Sequence, residues 1–180
     1  MSMVIIEANV SHAAAIAAIG KKSFRDAFGH LFNNKEELFE LLEKIYEPLK
    51  LVKSLRKESN TYFLALANDK PVGFANIKFN SLNEHIESIA QVELQKIYVL
   101  PEYQGLGVGT ALLEEVKQLV HHVNPDYLWL DTCSRSEKAI RFCKKHGFEK
   151  IGKYFFTIGT QVFEYHVMGL PIAINIKTAC

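Results

Sequence analysis

The chain has 180 residues, a near balance of 21 Lys and Arg against 20 Asp and Glu (net +1 at pH 7), and 48% hydrophobic residues. That length suits one domain with a sizeable core, and so small a net charge gives no basis for expecting nucleic acid or an anionic membrane as partner. Cys133, Cys143 and Cys180 are odd in number and lack metal-ligand spacing, which points to a reducing, cytoplasmic setting, and the apolar start Met3–Ile6 stops at Glu7, too short for a leader.

In chain order, Met3 to Ala8 reads as a first strand. Ser11 is placed to cap a helix carrying Ala15, Ile16, Ile19, Phe24 and Phe28. Asn34 can cap a second through Leu38, Leu41, Leu42 and Ile45, and Pro48 suits the first turn of a third, Leu49 to Arg56. Thr61–Ala67 and Val72–Phe79 form a hairpin across Asn68-Asp69-Lys70. A polar loop, Ser81 to Ala90, leads to a strand from Val92 to Val99. A helix running to about His122 carries Leu112, Leu113, Val116, Leu119 and Val120 at helical spacing. Tyr127–Asp131 is the next strand and Ser136–His146 the next helix. Ile151–Ile158 and Gln161–Met168 close the chain as a hairpin turning at Gly159-Thr160. The apolar tail Leu170–Ile176 reads as an edge strand or packed segment, so the domain is expected over 1–170 with a tail over 171–180. His121 and His122 have no ligand partner at useful spacing, and no metal is expected.

Between the strand ending at Val99 and the helix after it stand Gln104, Gly105, Leu106, Gly107, Val108, Gly109 and Thr110. A glycine-rich turn into a helix N-terminus aims backbone N–H groups outward beside the positive end of the helix dipole, and anions, pyrophosphates above all, bind there. The loop lacks the lysine and hydroxyl of an ATP-type loop. A dinucleotide fold would want the loop after the first strand and an acid about twenty residues on; here it lies past mid-chain, and His121-His122 stand where the next strand and its acid should be approaching. A second segment runs Ser136-Glu137-Lys138-Ala139-Ile140-Arg141-Phe142-Cys143-Lys144-Lys145-His146-Gly147-Phe148. Together, Q-x-x-G-x-G after Ile97-Tyr98-Val99 and A-x-x-F-x-x-K-x-G-F resemble the two motifs of the GNAT N-acetyltransferase superfamily. The resemblance implies a single α/β (α+β) domain with a mixed, mostly antiparallel sheet flanked by helices. It also implies acetyl-CoA as co-substrate.

Carried onto this sequence, the resemblance places the pantetheine arm on the backbone of Ile97, Tyr98 and Val99, and the pyrophosphate on N–H groups from Gln104 through Thr110. Glu93, eleven positions before Gln104, stands where several members place a catalytic glutamate. By strand alternation it shares a face with Gln95, Ile97 and Val99. As a general base it would take the amine's proton directly or through water; the bland alternative is a solvated or ion-paired strand residue. Cys143 replaces a tyrosine that in many members protonates the departing thiolate. A thiol is a competent but shorter donor, and the alternative is a small packed residue, with Tyr98, Tyr154 or Tyr165 as donor. Ser136, where asparagine is frequent, is expected to cap its helix and could reach the cofactor. Lys145 reads as a dipole-favoured surface charge.

The acceptor is written in the first helices. Asp26, Glu36, Glu37, Glu40, Glu43 and Glu47, with Phe24, Phe28, Phe32, Phe39 and Tyr46, could line an amine-binding cleft or be ordinary helix-turn acids and core aromatics. Ser23–Phe28, L-x-K-I-Y-V, Phe142–Phe148 and Tyr154-Phe155-Phe156 look similar to bacterial spermidine/spermine N-acetyltransferases. The implied reaction is acetyl transfer to a small primary amine, a polyamine favoured. The rival readings are a protein N-terminal or lysine acetyltransferase and a non-catalytic acyl-CoA sensor. A homodimer is left open.

Overall fold

The structure is a computed structural model describing residues 2–172. Seven strands form one sheet: β1 (Met3–Glu7), β2 (Asn60–Ala67), β3 (Lys70–Phe79), β4 (Gln91–Val99), β5 (Tyr127–Cys133), β6 (Glu149–Ile158) and β7 (Gln161–Pro171). Their order is β1-β2-β3-β4-β5-β7-β6, antiparallel throughout except for the β4–β5 pair. The helices are α1 (Ala13–Phe28), α2 (Lys35–Ile45), α3 (Pro48–Leu55), α4 (Val108–Val123) and α5 (Glu137–Lys145). This is the α/β domain with a mixed, mostly antiparallel sheet expected from the sequence.

Each face of the sheet is covered by its own set of helices. Val108, Leu112, Leu113, Val116 and Val120 of α4, with Cys143 and Phe148, pack on Ala65, Ala75, Ile77, Val92, Leu94, Leu128 and Met168. On the other face Ile16, Ile19, Leu38, Leu42 and Leu51 from α1–α3 cover Leu64, Phe74 and Phe163. Each Val, Leu, Ile, Phe or Met among them contributes about 1.5–3 kcal/mol on burial. A third, smaller cluster of Ile86, Trp129 and Val167 seats the loop before β4.

Local chemistry sets the junctions. Asn68 and Asp69 have φ 46° and 64°, the left-handed pair that a tight β2–β3 turn demands. Asn34 caps α2 by accepting from Glu36 N–H, and Pro48 opens α3, both as expected. The entry to α1 differs. Asn9, not Ser11, is the cap: its side chain accepts from Ser11 N–H, and His12 closes the box over a 3-10 turn at Val10–His12. The tail expectation is also corrected. Leu170 and Pro171 belong to β7, which lies between β5 and β6 rather than at an edge. Residues 173–180, with Cys180, lie outside the described residues.

The feature that positions the site is a bulge in β4. Asn76 pairs with Lys96 and Ile77 with Leu94, so Gln95 has no partner on β3. One extra residue reverses the inside-outside alternation beyond it. Val92 and Leu94 face α4 before the bulge, and Ile97 and Val99 face it after. Glu93 therefore lies on the face opposite Ile97 and Val99, which corrects the simple alternation read from sequence.

Candidate active site

The glycine turn begins where Pro101 ends β4 and forms a short 3-10 turn at Pro101–Tyr103. Gly105 and Gly107 have φ 77° and 86°, conformations that L side chains adopt only at a cost. Gly107 is the N-cap of α4 and offers no side-chain acceptor; the first ladder bond runs from Ala111 N–H to Gly107 O at 2.9 Å. The N–H groups of Val108, Gly109 and Thr110 precede that ladder and point out of the helix end. Gly105 and Leu106 are exposed beside them. Such a turn is an anion cradle.

Gln104 braces the cradle. Its Nε2 donates to Val99 O at 3.3 Å, and its Oε1 accepts from Lys138 Nζ at 3.2 Å, tying α5 to the end of β4. Thr110 Oγ1 lies 3.4 Å from His146 Nε2, and the Phe142 ring rests 3.5 Å from where a Cβ on Gly109 would stand.

Below the cradle the sheet opens. β4 and β5 pair only at Gln91–Tyr127, Val92–Leu128 and Glu93–Trp129. Beyond that rung β4 follows β3 to Val99, and β5 follows β7 to Cys133. The Ile97–Val99 edge facing the gap has no strand partner among the described residues. An extended ligand can add there by backbone pairing.

On the α1–α3 face, polar groups collect around the split. Glu93 Oε2 accepts from Ser81 Oγ at 2.6 Å, and Ser81 is held by Trp129, whose Nε1 donates to Ser81 O at 2.9 Å. Asp131 Oδ2 accepts from Tyr154 Oη at 2.8 Å. Desolvation raises the Asp131 carboxyl above its ordinary value and the charge of Glu93 adds to this, while the Tyr154 bond opposes it. Tyr154 stacks on Tyr165 with centroids 5.5 Å apart. Burial pushes the Tyr165 phenol up to about 12, with Cys133 and Asp131 adding to it. Burial likewise raises Tyr98, whose ring sits 5.8 Å from Phe74 and 6.4 Å from Phe24.

Two expected site residues take other surroundings. Cys143 is 4% exposed in the α4-side core with Phe148, and burial lifts its thiol to about 11. Ser136 occupies the N-cap position of α5, but its side chain makes no capping bond; its backbone N–H donates to Cys133 O at 2.9 Å. The acids of the N-terminal third are also placed elsewhere. Glu43 pairs with Lys21 at 2.7 Å and Glu47 with Lys50 at 3.2 Å. Glu37 accepts from Thr160 N–H and Oγ1, pinning the β6–β7 turn. Asp131, Lys96 and Lys138 were not singled out by sequence. Asp131 could have been, since Tyr127, Trp129 and Asp131 alternate with the apolar Leu128 and Leu130.

The chain matches the family model described as the acetyltransferase (GNAT) family over residues 22–148. It belongs to that family. This GNAT acetyltransferase is 22% identical over 156 residues to an uncharacterised N-acetyltransferase in the pepI 3′ region of Lactobacillus delbrueckii subsp. lactis, covering 86% of this chain and 89% of the other. It is 25% identical over 128 residues to an N-alpha-acetyltransferase of Sulfurisphaera tokodaii, covering 67% and 75% respectively. With other curated relatives the match spans under half of their length, 42% and 49%. Its fold is shared with the PaiA N-acetyltransferase of Thermoplasma acidophilum solved with coenzyme A: TM-score 0.79, 18% identity, 96% of this chain and all of that one. No helix among the described residues is long and apolar enough to cross a membrane.

Proposed function

We propose that this N-acetyltransferase moves an acetyl group from acetyl-CoA to a small primary amine, by direct attack while both are bound. The observation that carries this reading is the split of β4 from β5 directly after Glu93, with an anion cradle at one end and a carboxylate on its opposite face. The pyrophosphate sits on N–H groups from Gln104 through Thr110, with Gly105, Leu106, Gly107, Val108 and Gly109 between them. The pantetheine arm adds to the backbone of Ile97, Tyr98 and Val99. Lys138, held on Gln104, brings positive charge to the same end.

Glu93 accepts a proton from the incoming ammonium, directly or through one water. The freed amine attacks the thioester carbonyl and the thiolate leaves. For the proton returned to that thiolate we favour a tyrosine of the split, Tyr98, Tyr154 or Tyr165, over Cys143. The packing of Cys143 against Phe148 on the α4-side core supports this preference.

A polyamine is the favoured acceptor. Glu93 and Asp131 stand on one face of the split beside the Tyr154–Tyr165 stack, a setting that suits a flexible cation. A second reading, acetylation of a protein N-terminal amine, draws on the similarity to the Sulfurisphaera N-alpha-acetyltransferase. The free thiols Cys133 and Cys143 fit a cytoplasmic setting.

The test is CoA release with acetyl-CoA against spermidine, spermine, aminoglycosides and peptides with free N-termini, with calorimetry alongside. Turnover on polyamines that is lost in Glu93→Gln is the expected result. Turnover on peptide amines alone replaces the polyamine by the second reading. Acetyl-CoA binding with no turnover on any amine overturns the proposed reaction.

A further inference from the structure

The acceptor face holds a nucleophilic amine that the proposed reaction leaves unused. Lys96 follows the Gln95 bulge, three residues beyond Glu93, at the point where β4 has left β5. With Tyr46, Ser54 and Tyr62 it lines a cavity of about 140 Å³ under α1 and α3. Its ammonium has no carboxylate within ion-pair distance among the described residues. Its hydrogen bond to Gln95 Oε1 is long at 3.4 Å. Burial holds the lysine below its ordinary pKa, with the charge of Glu93 opposing, so the neutral, nucleophilic amine is reached more easily than at a solvated lysine. Lys50 lines the same cavity, but it is exposed and its ammonium is paired with Glu47 at 3.2 Å.

We infer that Lys96 is an internal acetyl acceptor, a modification site at which the protein acetylates its own chain when no amine occupies the acceptor side. This rests on the acetyl-CoA reading above. The Lys96 ammonium loses one proton to Glu93 through an intervening water, and its Nζ lone pair attacks the thioester carbonyl. The N–C bond forms and the C–S bond breaks. The second proton goes to the departing thiolate, and Glu93 passes its own to water. The product amide is neutral, so it removes a partly buried ammonium that has no carboxylate partner among the described residues. The added acetyl group fills the cavity and excludes part of an incoming acceptor.

The experiment incubates the full chain with acetyl-CoA and no amine. Intact-mass and peptide mass spectrometry follow the protein, and CoA release with spermidine is run in parallel. One acetyl group per chain at Lys96 is expected, gained with a rate constant independent of protein concentration. It is expected to be absent in Lys96→Arg and slowed about a hundredfold in Glu93→Gln, as loss of a general base implies. Lys96→Arg keeps charge and stem, so its thermal unfolding checks that a missing modification is not misfolding. Acetyl groups scattered over exposed lysines, or a rate at Lys96 unchanged in Glu93→Gln, overturn the inference. An unmodified Lys96 beside active spermidine turnover also overturns it, and leaves the proposed function standing. Absence of both CoA release and modification removes the two together.

Discussion

Glu93 and Trp129 form the last rung at which β4 and β5 are paired. The rung fixes both sides of the split: Trp129 holds the Ser81 carbonyl, and the Ser81 hydroxyl holds Glu93. If Glu93 is the base, Glu93→Gln keeps shape and most of this network while removing proton affinity. The expected result is a loss of about a hundredfold to ten-thousandfold in kcat, with acetyl-CoA affinity unchanged by calorimetry. A rise in KM with kcat intact would instead assign Glu93 to binding.

The glycines of the cradle separate by conformation. Gly107 has φ 86°, so Gly107→Ala forces an L residue into the left-handed region at about 1–2 kcal/mol. It should lower both stability and CoA affinity as the helix N-terminus shifts. Gly109 has helical geometry, and an added Cβ would lie 3.5 Å from the Phe142 ring, an ordinary contact. Gly109→Ala should therefore unfold at nearly the same denaturant concentration as the parent. Chemical denaturation of the two variants with CoA titrations tests the contrast.

The parts of this site that follow from local rules were legible in the sequence. Helical spacing over Leu112–Val120, the Asn34 cap, the Asn68-Asp69 turn and the Gly105–Gly107 turn each depend on residues close in the chain, and each stands where the pattern put it. What failed depended on partners that the pattern alone does not name, some of them far away in the chain. Only the register against β3 reveals that Gln95 is unpaired, and that single residue moves Glu93 to the opposite face from Ile97. Glu37, Glu43 and Glu47 read as candidates for a cleft, yet their partners Thr160, Lys21 and Lys50 draw them into pins and ion pairs. Asn9 displaced Ser11 because His12 could reach back to its N–H, a reciprocal bond that a search for Ser alone passes over.

Gly20 illustrates a position where helix propensity gives the wrong sign. In an open helix Gly→Ala gains about 1 kcal/mol. Here a Cβ on Gly20 would stand 2.2 Å from Cζ of Tyr46, itself 2% exposed. The ring must leave its place against α1, and overpacking of this kind costs about 1–3 kcal/mol. Gly20→Ala should be destabilised in chemical denaturation. Gly20→Ala combined with Tyr46→Leu should recover part of the loss, since the two act on one contact.

Asp131 adds one pH-dependent contribution to stability. Its carboxyl is raised above the ordinary aspartate value by desolvation first and by Glu93 second, so the folded chain holds that proton more tightly than the unfolded chain. The folded state is therefore favoured by this group at low pH. That contribution fades as pH rises from the unfolded value through the raised folded one. Asp131→Asn removes the charge and keeps an acceptor for Tyr154. It should raise the melting temperature at neutral pH and converge with the parent in acid. Tyr154→Phe should act oppositely, because the bond from its hydroxyl is what restrains the rise. Melting curves of the three proteins across pH 3 to 8 test the sign. An Asp131→Asn protein less stable at neutral pH would mean that the carboxylate is held by favourable charge, and that the acidic side of the split is built around a cation rather than waiting for one.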